Sequence, residues 1–185
     1  MIVTKRLNLI PATVELTRAA LVGSAALGQQ LSATVPASWP PEFLDRAAFE
    51  YTIARLVEGA EQAGWWLHFA ILRENEQRVL IGSAGYKGPP SSDGVVEAGY
   101  GIVSEYRRRG LATEVLLGLV AHAFESSAVR KVAGETLPEL IASVGVMEKA
   151  GFSFVGNGLE TGTIRFELTR ADYEKRSQAA AKNLK

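Results

Sequence analysis

Glu97-Ala98-Gly99-Tyr100-Gly101-Ile102-Val103-Ser104-Glu105-Tyr106-Arg107-Arg108-Arg109-Gly110-Leu111-Ala112-Thr113-Glu114 is the stretch on which the reading of this 185-residue chain turns. Its first part, through Val103, reads as a buried strand. From Gly110 the period changes: Glu114, Gly118, His122 and Glu125 form a narrow polar stripe, while Leu111, Val115, Leu116, Leu119, Val120 and Ala123 fill the remaining surface of a deeply buried helix. Between them lies a basic turn closed by glycine. The first N–H groups of a helix have no intrahelical acceptor and carry partial positive charge, so a strand entering a helix through such a turn has the outline of an anion site. Gly110 lets backbone approach closely, Ala112 keeps the next point small, Thr113 adds a hydroxyl, and Arg107, Arg108 and Arg109 offer forked donors suited to phosphate oxygens. An isolated Arg-Arg-Arg-Gly reads as a solvated loop; the flanking strand and helix place this one where open sheets bind ligands. It has neither the Gly-Lys-Ser/Thr ending of a P-loop nor the Gly-x-Gly-x-x-Gly dinucleotide pattern.

Upstream, Ile2 to Ile10 alternates as one half-buried strand, Thr13 to Leu21 reads as a helix, and Gly23 to Trp39 as a loop or broken helix. A helix resumes near Glu42 and closes at Gly64. Trp65 to Leu72, Val79 to Tyr86 and Val95 to Val103 form three consecutive antiparallel strands, the last two joined by the Lys87 to Gly94 turn. Downstream come a strand at Val129 to Thr136 and a helix with Pro138 in its first turn. Ala142, Val146, Met147 and Ala150 line one face of that helix, and Gly151 follows as its left-handed end. Strands near Phe152 to Val155 and Thr163 to Leu168 precede a terminal helix over residues 170–185, whose Ala179 to Lys182 tail frays. The order predicts one α/β domain over residues 1–185: a mixed, mostly antiparallel sheet with helices on both faces.

Composition bounds the function. Hydrophobic residues make up 47% and charged residues 22%, values of an ordinary globular chain. Zero cysteines and two histidines exclude a disulfide framework and thiolate zinc sites, and point to no metal and a cytoplasmic setting. Twenty basic and twenty acidic residues cancel, so no whole-chain field favours nucleic acid or an anionic membrane. No apolar run reaches membrane-spanning length, and the N-terminus lacks a signal-peptide layout.

Arg107-x-x-Gly110-x-Ala112, opening a helix after Gly101-Ile102-Val103, resembles the acyl-CoA pyrophosphate motif of the GNAT superfamily of N-acetyltransferases. Glu97-x-Gly99-Tyr100, Thr136-Leu137-Pro138-Glu139, Ala142-Ser143, Glu148 to Phe152, Thr4-x-Arg6-Leu7-x-Leu9 and Leu168-x-Arg170-x-Asp172-Tyr173 are similar to its ribosomal-protein N-terminal acetyltransferase branch. The resemblance implies a sheet splayed between its fourth and fifth strands, with the pantetheine of acetyl-CoA lying in the splay. It further implies main-chain contacts from Tyr100, Ile102 and Val103, and a pyrophosphate wrapped by Arg107, Arg108, Arg109, Gly110, Leu111, Ala112 and Thr113. The implied reaction is direct attack of a primary amine on the thioester, the acceptor being a protein N-terminus, a peptide or a small amine.

Glu97 is the candidate base, with a strand-face or salt-bridging role as the alternative. Ser143 is the candidate hydrogen-bond donor to the leaving thiolate, because the family's helix tyrosine aligns with Met147. Leu140 stands where that branch commonly carries Asn. Trp39, in its Pro-rich loop, is the expected acceptor contact. His68 reads as a strand histidine satisfied by its neighbours and His122 as part of a polar stripe. Two other readings stay open: a non-catalytic acyl-CoA-binding module, and an unrelated sheet protein whose arginine turn holds another phosphate ligand. Oligomeric state is open too, a homo-oligomer included.

Overall fold

In the computed structural model, which describes residues 1–182, an eight-stranded sheet runs in the order β1-β2-β3-β4-β5-β6-β8-β7. The strands are β1 (Ile2–Val3), β2 (Leu7–Pro11), β3 (Leu67–Glu74), β4 (Gln77–Tyr86), β5 (Val95–Ile102), β6 (Lys131–Thr136), β7 (Ser153–Asn157) and β8 (Ile164–Thr169). All neighbours pair antiparallel except β5 with β6. The helices among the described residues are α1 (Val14–Val22), α2 (Ser24–Leu31), α3 (Arg46–Glu58), α4 (Leu111–Glu125), α5 (Ile141–Ala150) and α6 (Arg170–Lys182). None is long and apolar enough to cross a membrane. Among these residues, no group of His, Asp and Glu is arranged to hold a metal.

Several elements differ from the sequence reading. The opening strand is a hairpin, with Ile2 opposite Leu9. Glu114, from the first turn of α4, breaks the alternation: its carboxylate accepts from Thr4 Oγ1 at 2.6 Å, Arg6 N–H at 2.6 Å and Arg6 Nε at 2.7 Å. Burial tends to raise this carboxyl, but those donors outweigh it and hold its pKa below the ordinary value. The Gly23 to Trp39 segment contains α2, which starts directly after Gly23. α3 begins at Arg46, where Asp45 caps the Ala48 N–H at 2.9 Å, and a 3-10 turn (Ala60–Trp65) follows it. α5 begins at Ile141, so Pro138 precedes it, and Ala142 is exposed while Ser143, Met147 and Ala150 face inward. α6 stays helical through Lys182 rather than fraying before it.

Two hydrophobic cores sandwich the sheet. Leu111, Val115, Leu116, Leu119 and Val120 of α4 and Met147 and Ala150 of α5 pack with Val96, Ala98 and Ile102 of β5. On the other face Leu27, Leu31, Phe49 and Leu56 of α2 and α3 pack with Phe69, Ile71, Leu80 and Trp39. His68 is 1% exposed, and its Nδ1 donates to the Trp66 carbonyl at 3.1 Å, an oxygen that can only accept. Burial, only partly opposed by that bond, pushes its pKa from 6.5 down to about 4.

The unfolded chain therefore takes up a proton near pH 6.5 that the folded protein refuses until about pH 4. Stability present above the first value is lost as pH falls toward the second, by about 3 kcal/mol. His68→Met is expected to flatten that part of the profile in urea unfolding measured at pH 7 and pH 4.5. Equal losses in the two proteins would clear His68 of the effect.

Candidate functional site

β5 belongs to two half-sheets in succession. Val95, Val96 and Glu97 pair with Lys131, Val132 and Ala133 of β6, and there that ladder stops. From Ala98 to Ile102 the strand pairs only with β4. Along this segment Lys87 N–H bonds Glu97 O and Val103 N–H bonds Ile81 O, so residues 97, 99, 101 and 103 direct their polar backbone toward β4. Tyr100 and Ile102 consequently direct theirs into the wedge between β5 and β6. Val103 commits its N–H to Ile81 at 2.9 Å, and its side chain is buried.

The wedge leads into the basic turn. A 3-10 turn (Ser104–Tyr106) ends β5, Arg108 takes a left-handed φ of +60°, and Gly110 follows at +73° as the residue before α4. No side chain caps this helix, and the N–H groups of Leu111, Ala112 and Thr113 face no acceptor among the described residues. Arg107 donates through Nε to Ile102 O at 2.8 Å and pairs with Glu42 at 3.1 Å. Arg109 grips both oxygens of Glu74 at 2.7 and 2.9 Å above the Tyr106 ring. Two of the three arginines thus brace the turn. Among the described residues the guanidinium of Arg108, which is exposed, has no acidic partner.

On the α1–α3 face of β5, Glu97 is followed by glycines at 99 and 101. A Cβ at Gly99 would meet nothing within 4 Å, so this face is open at Gly99, next to Glu97. Glu97 Oε1 lies 2.6 Å from Lys87 Nζ and Oε2 lies 3.7 Å from Arg165 Nη1. Lys87 also pairs with Glu160 at 2.6 Å, tying the β4–β5 turn to the β7–β8 loop. Trp39 is 9% exposed and packs on Phe69 with ring centres 6.0 Å apart. The loop residue nearest β5 is Pro41, whose Cβ and Cγ lie 3.2 Å from where a Gly101 Cβ would stand.

Across the wedge, Ser143 occupies the inward stripe of α5 and its Oγ lies 3.2 Å from the Tyr100 hydroxyl. Met147 is buried one turn later, with Sδ 2.9 Å from the position of a Gly134 Cβ. Leu140 precedes α5 and is partly exposed, with no side-chain cap for the helix. The salt-bridging role that the sequence left open for Glu97 is the one the structure shows, with Lys87 and Arg165 as partners that the sequence reading did not name. Of the Gly99-x-Gly101 pair, Gly99 marks open space and Gly101 the close approach of Pro41.

A family model described as an acetyltransferase (GNAT) domain matches residues 6–153. The chain belongs to the GNAT acetyltransferase family. YjdG of Bacillus subtilis (strain 168), named an uncharacterized N-acetyltransferase, is 24% identical to this GNAT chain over 150 residues, which is 80% of this chain and 87% of YjdG. A ribosomal-protein-S5-alanine acetyltransferase from Vibrio fischeri superposes with a TM-score of 0.63 at 14% identity, covering 91% of this chain and 96% of that one. RimL, a ribosomal L7/L12 alpha-N-protein acetyltransferase solved with coenzyme A, superposes at 0.60 and 14% identity, over 92% and 97% of the two chains. At these identities the structural likeness is one of fold.

Proposed function

We propose that the protein is an acetyl-CoA-dependent N-acetyltransferase that acts on a primary amine, a protein N-terminus, a peptide or a small molecule, by direct attack in a ternary complex. The observation that carries this reading is continuity. The wedge edge of Tyr100 and Ile102 runs within a few residues into the unpaired N–H groups opening α4, so one extended molecule bearing amides and then a pyrophosphate matches both. Acetyl-CoA, when bound, supplies an acetyl group activated as a thioester.

The chain's residues do the rest. Tyr100 and Ile102 hold the amide portion through main-chain groups, a strand N–H stabilises negative charge on the carbonyl oxygen, and Val103, with its N–H given to Ile81 and its carbonyl to Tyr106, only anchors the strand end. The turn and helix from Arg107 to Thr113 hold the diphosphate, with Arg108 as the available guanidinium. Glu97, whose Oε1 is paired with Lys87 at 2.6 Å in the free protein, takes the amine proton directly or through water. An α-amine, with a reference pKa of about 7.7 to 8.0 against about 10.4 for lysine, needs less help from such a base. Ser143 serves the leaving sulfur, and Trp39 fixes the loop that carries Pro41 toward the acceptor side. A chain without cysteine fits a cytoplasmic setting.

Thermal unfolding tests the reading. Acetyl-CoA at a hundred times its Kd is expected to add about 2.7 kcal/mol, an upward shift of roughly 5 to 10 °C for a chain of this size. Arg108→Ala is expected to weaken the complex about tenfold by titration calorimetry, through one lost charge-assisted bond. A shift with ATP and none with acetyl-CoA would hand the α4 site to another phosphate ligand. Leu140 and Met147 favour a second reading, an acyl-CoA binder without turnover. It predicts the thermal shift but no thiol release with a panel of amines.

A further inference from the structure

Ser83 lies in β4, 7% exposed, opposite Gly101 of β5. Its Oγ is 3.7 Å from where a Gly101 Cβ would stand, so the hydroxyl shares the α1–α3 face with Glu97 and Gly99. Other buried polar side chains find main-chain acceptors: Thr17 donates to the Thr13 carbonyl at 2.7 Å, Thr52 to that of Ala48 at 2.8 Å and His68 to that of Trp66 at 3.1 Å. Ser83 Oγ has no hydrogen bond among the described residues. The side chains of Asn8 and Thr136 also lack one, but they belong to β2 and to the face of β6 turned toward α5. Among the described residues the polar side-chain atoms closed off from solvent without a partner are Arg55 Nε and Trp66 Nε1; the Ser83 hydroxyl is not one of them, so an opening reaches it. Pro41 closes the Gly101 side, with Cβ and Cγ 3.2 Å from the would-be Cβ. The neighbouring pair is Gly85 opposite Gly99, where no side chain rises and Gly99 is exposed. A glycine floor thus runs from the Ser83 hydroxyl toward Glu97. Same-face positions along a strand stand about 7 Å apart, which puts Gly101 one step from Gly99 and two from Glu97.

We infer that Ser83 is a specificity-determining residue of the acceptor site: its O–H donates to an oxygen of the acceptor a few bonds from the reacting amine, so that the site takes amino-acid amides and peptides in preference to plain alkylamines. This rests on the acetyl-transfer reading and narrows its acceptor. The amine lies over Gly99, between the thioester held along Tyr100 and Ile102 and the carboxylate of Glu97, and its substituent extends toward Gly101. There the first carbonyl oxygen of a peptide, three bonds from the nitrogen, comes within reach of the Ser83 hydroxyl. An alkyl group in the same place covers that hydroxyl and leaves it unpaired, which costs the complex a hydrogen bond. Pro41 ends the floor, so a longer acceptor leaves the groove toward solvent from that point.

The test measures thiol release from saturating acetyl-CoA with glycinamide, triglycine amide and isobutylamine. Glycinamide and isobutylamine match in shape but differ in basicity, so the deciding quantity is the change in their ratio on mutation, which basicity does not touch. Ser83→Ala is expected to lower kcat/KM for the two amides about tenfold and to leave isobutylamine within about twofold, with the Kd for acetyl-CoA unchanged. Because the hydroxyl has no partner in the free protein, the variant is expected to keep the wild-type Tm within about 2 °C, whereas loss of a structural hydrogen bond would lower it. Gly99→Val, whose Cβ meets nothing within 4 Å, is expected to fold and to bind acetyl-CoA while slowing all three amines about tenfold or more. Equal losses on amides and alkylamine in Ser83→Ala, or no loss on either, overturn the role of Ser83. Failure of wild type to release thiol with any of the three overturns instead the acetyl-transfer reading on which it rests.

Discussion

Gly82→Ala is expected to destabilise the protein by about 4 kcal/mol or more, in the range reserved for backbone collisions in a core. A Cβ at this position of β4 would lie 2.1 Å from the carbonyl oxygen of Gly101 and 3.0 Å from Ile102 Cδ1. Neither can yield cheaply, because Gly82 sits opposite Ile102 in the ladder that holds β5 against β4. The position is set by space alone, since its φ is not among the positive values of this chain. Thermal unfolding should show the loss, roughly 8 to 16 °C in Tm at this chain length. The damage would fall on the strand that forms one wall of the wedge, so acetyl-CoA should bind less well to whatever fraction stays folded. A variant as stable as wild type would mean that β4 and β5 part without cost.

The second large effect is expected at Arg165. Its side chain is 13% exposed and lies 2.7 Å from Glu135, 3.1 Å from Glu167 and 3.7 Å from Glu97. Arg165→Met would leave three partly or fully buried carboxylates around an uncharged side chain, with only Lys131 and Lys87 at the margins. Removing one partner from a buried cluster costs about 3 to 5 kcal/mol.

The pH dependence identifies the cause. Burial works to raise the Glu135 carboxyl, but hydrogen bonds from the Leu159 N–H, Arg165, Thr163 and the Glu160 N–H bring it down to about 2. Glu167 is lowered likewise, with burial outweighed by Lys131 and Arg165. In wild type these depressed values stabilise the fold above the ordinary carboxylate range, and the contribution is lost as pH falls from that range toward about 2. Without the guanidinium the carboxylates protonate more readily, so the deficit of the variant should shrink as pH falls from 5 to 3. A deficit constant over that interval would assign the loss to packing, and Arg165→Lys should restore part of it only if charge is the cause.

Local patterns made much of this fold legible. The change of period at Gly110 marked a strand-to-helix turn because both elements are buried and their apolar spacing is unmixed. Gly151, at a φ of +95°, ended α5 where its sequence position indicated. The hairpin at the N-terminus was hidden because its turn depends on Glu114, more than a hundred residues away, and no window of sequence contains both. The roles of Arg107 and Arg109 were obscured for a similar reason. Glu42 and Glu74 decide where those guanidiniums go, and the sequence shows only that three arginines are adjacent. Trp39 read as a loop aromatic free to meet a substrate, but α2, left open between loop and broken helix in a run of small residues, supplies Leu27 and Leu31 to the core that covers it.

The parting of β5 and β6 is fixed by which residues pair, three on each strand, and not by the displacement of any side chain. No strand has to peel away before a linear molecule enters, so the protein brings a pre-organised edge to the encounter. The ordering cost then falls on the torsions of the incoming chain. A stiffened, extended diamide would have less freedom to lose there than a flexible one, and its gain in affinity should appear as slower departure from the wedge.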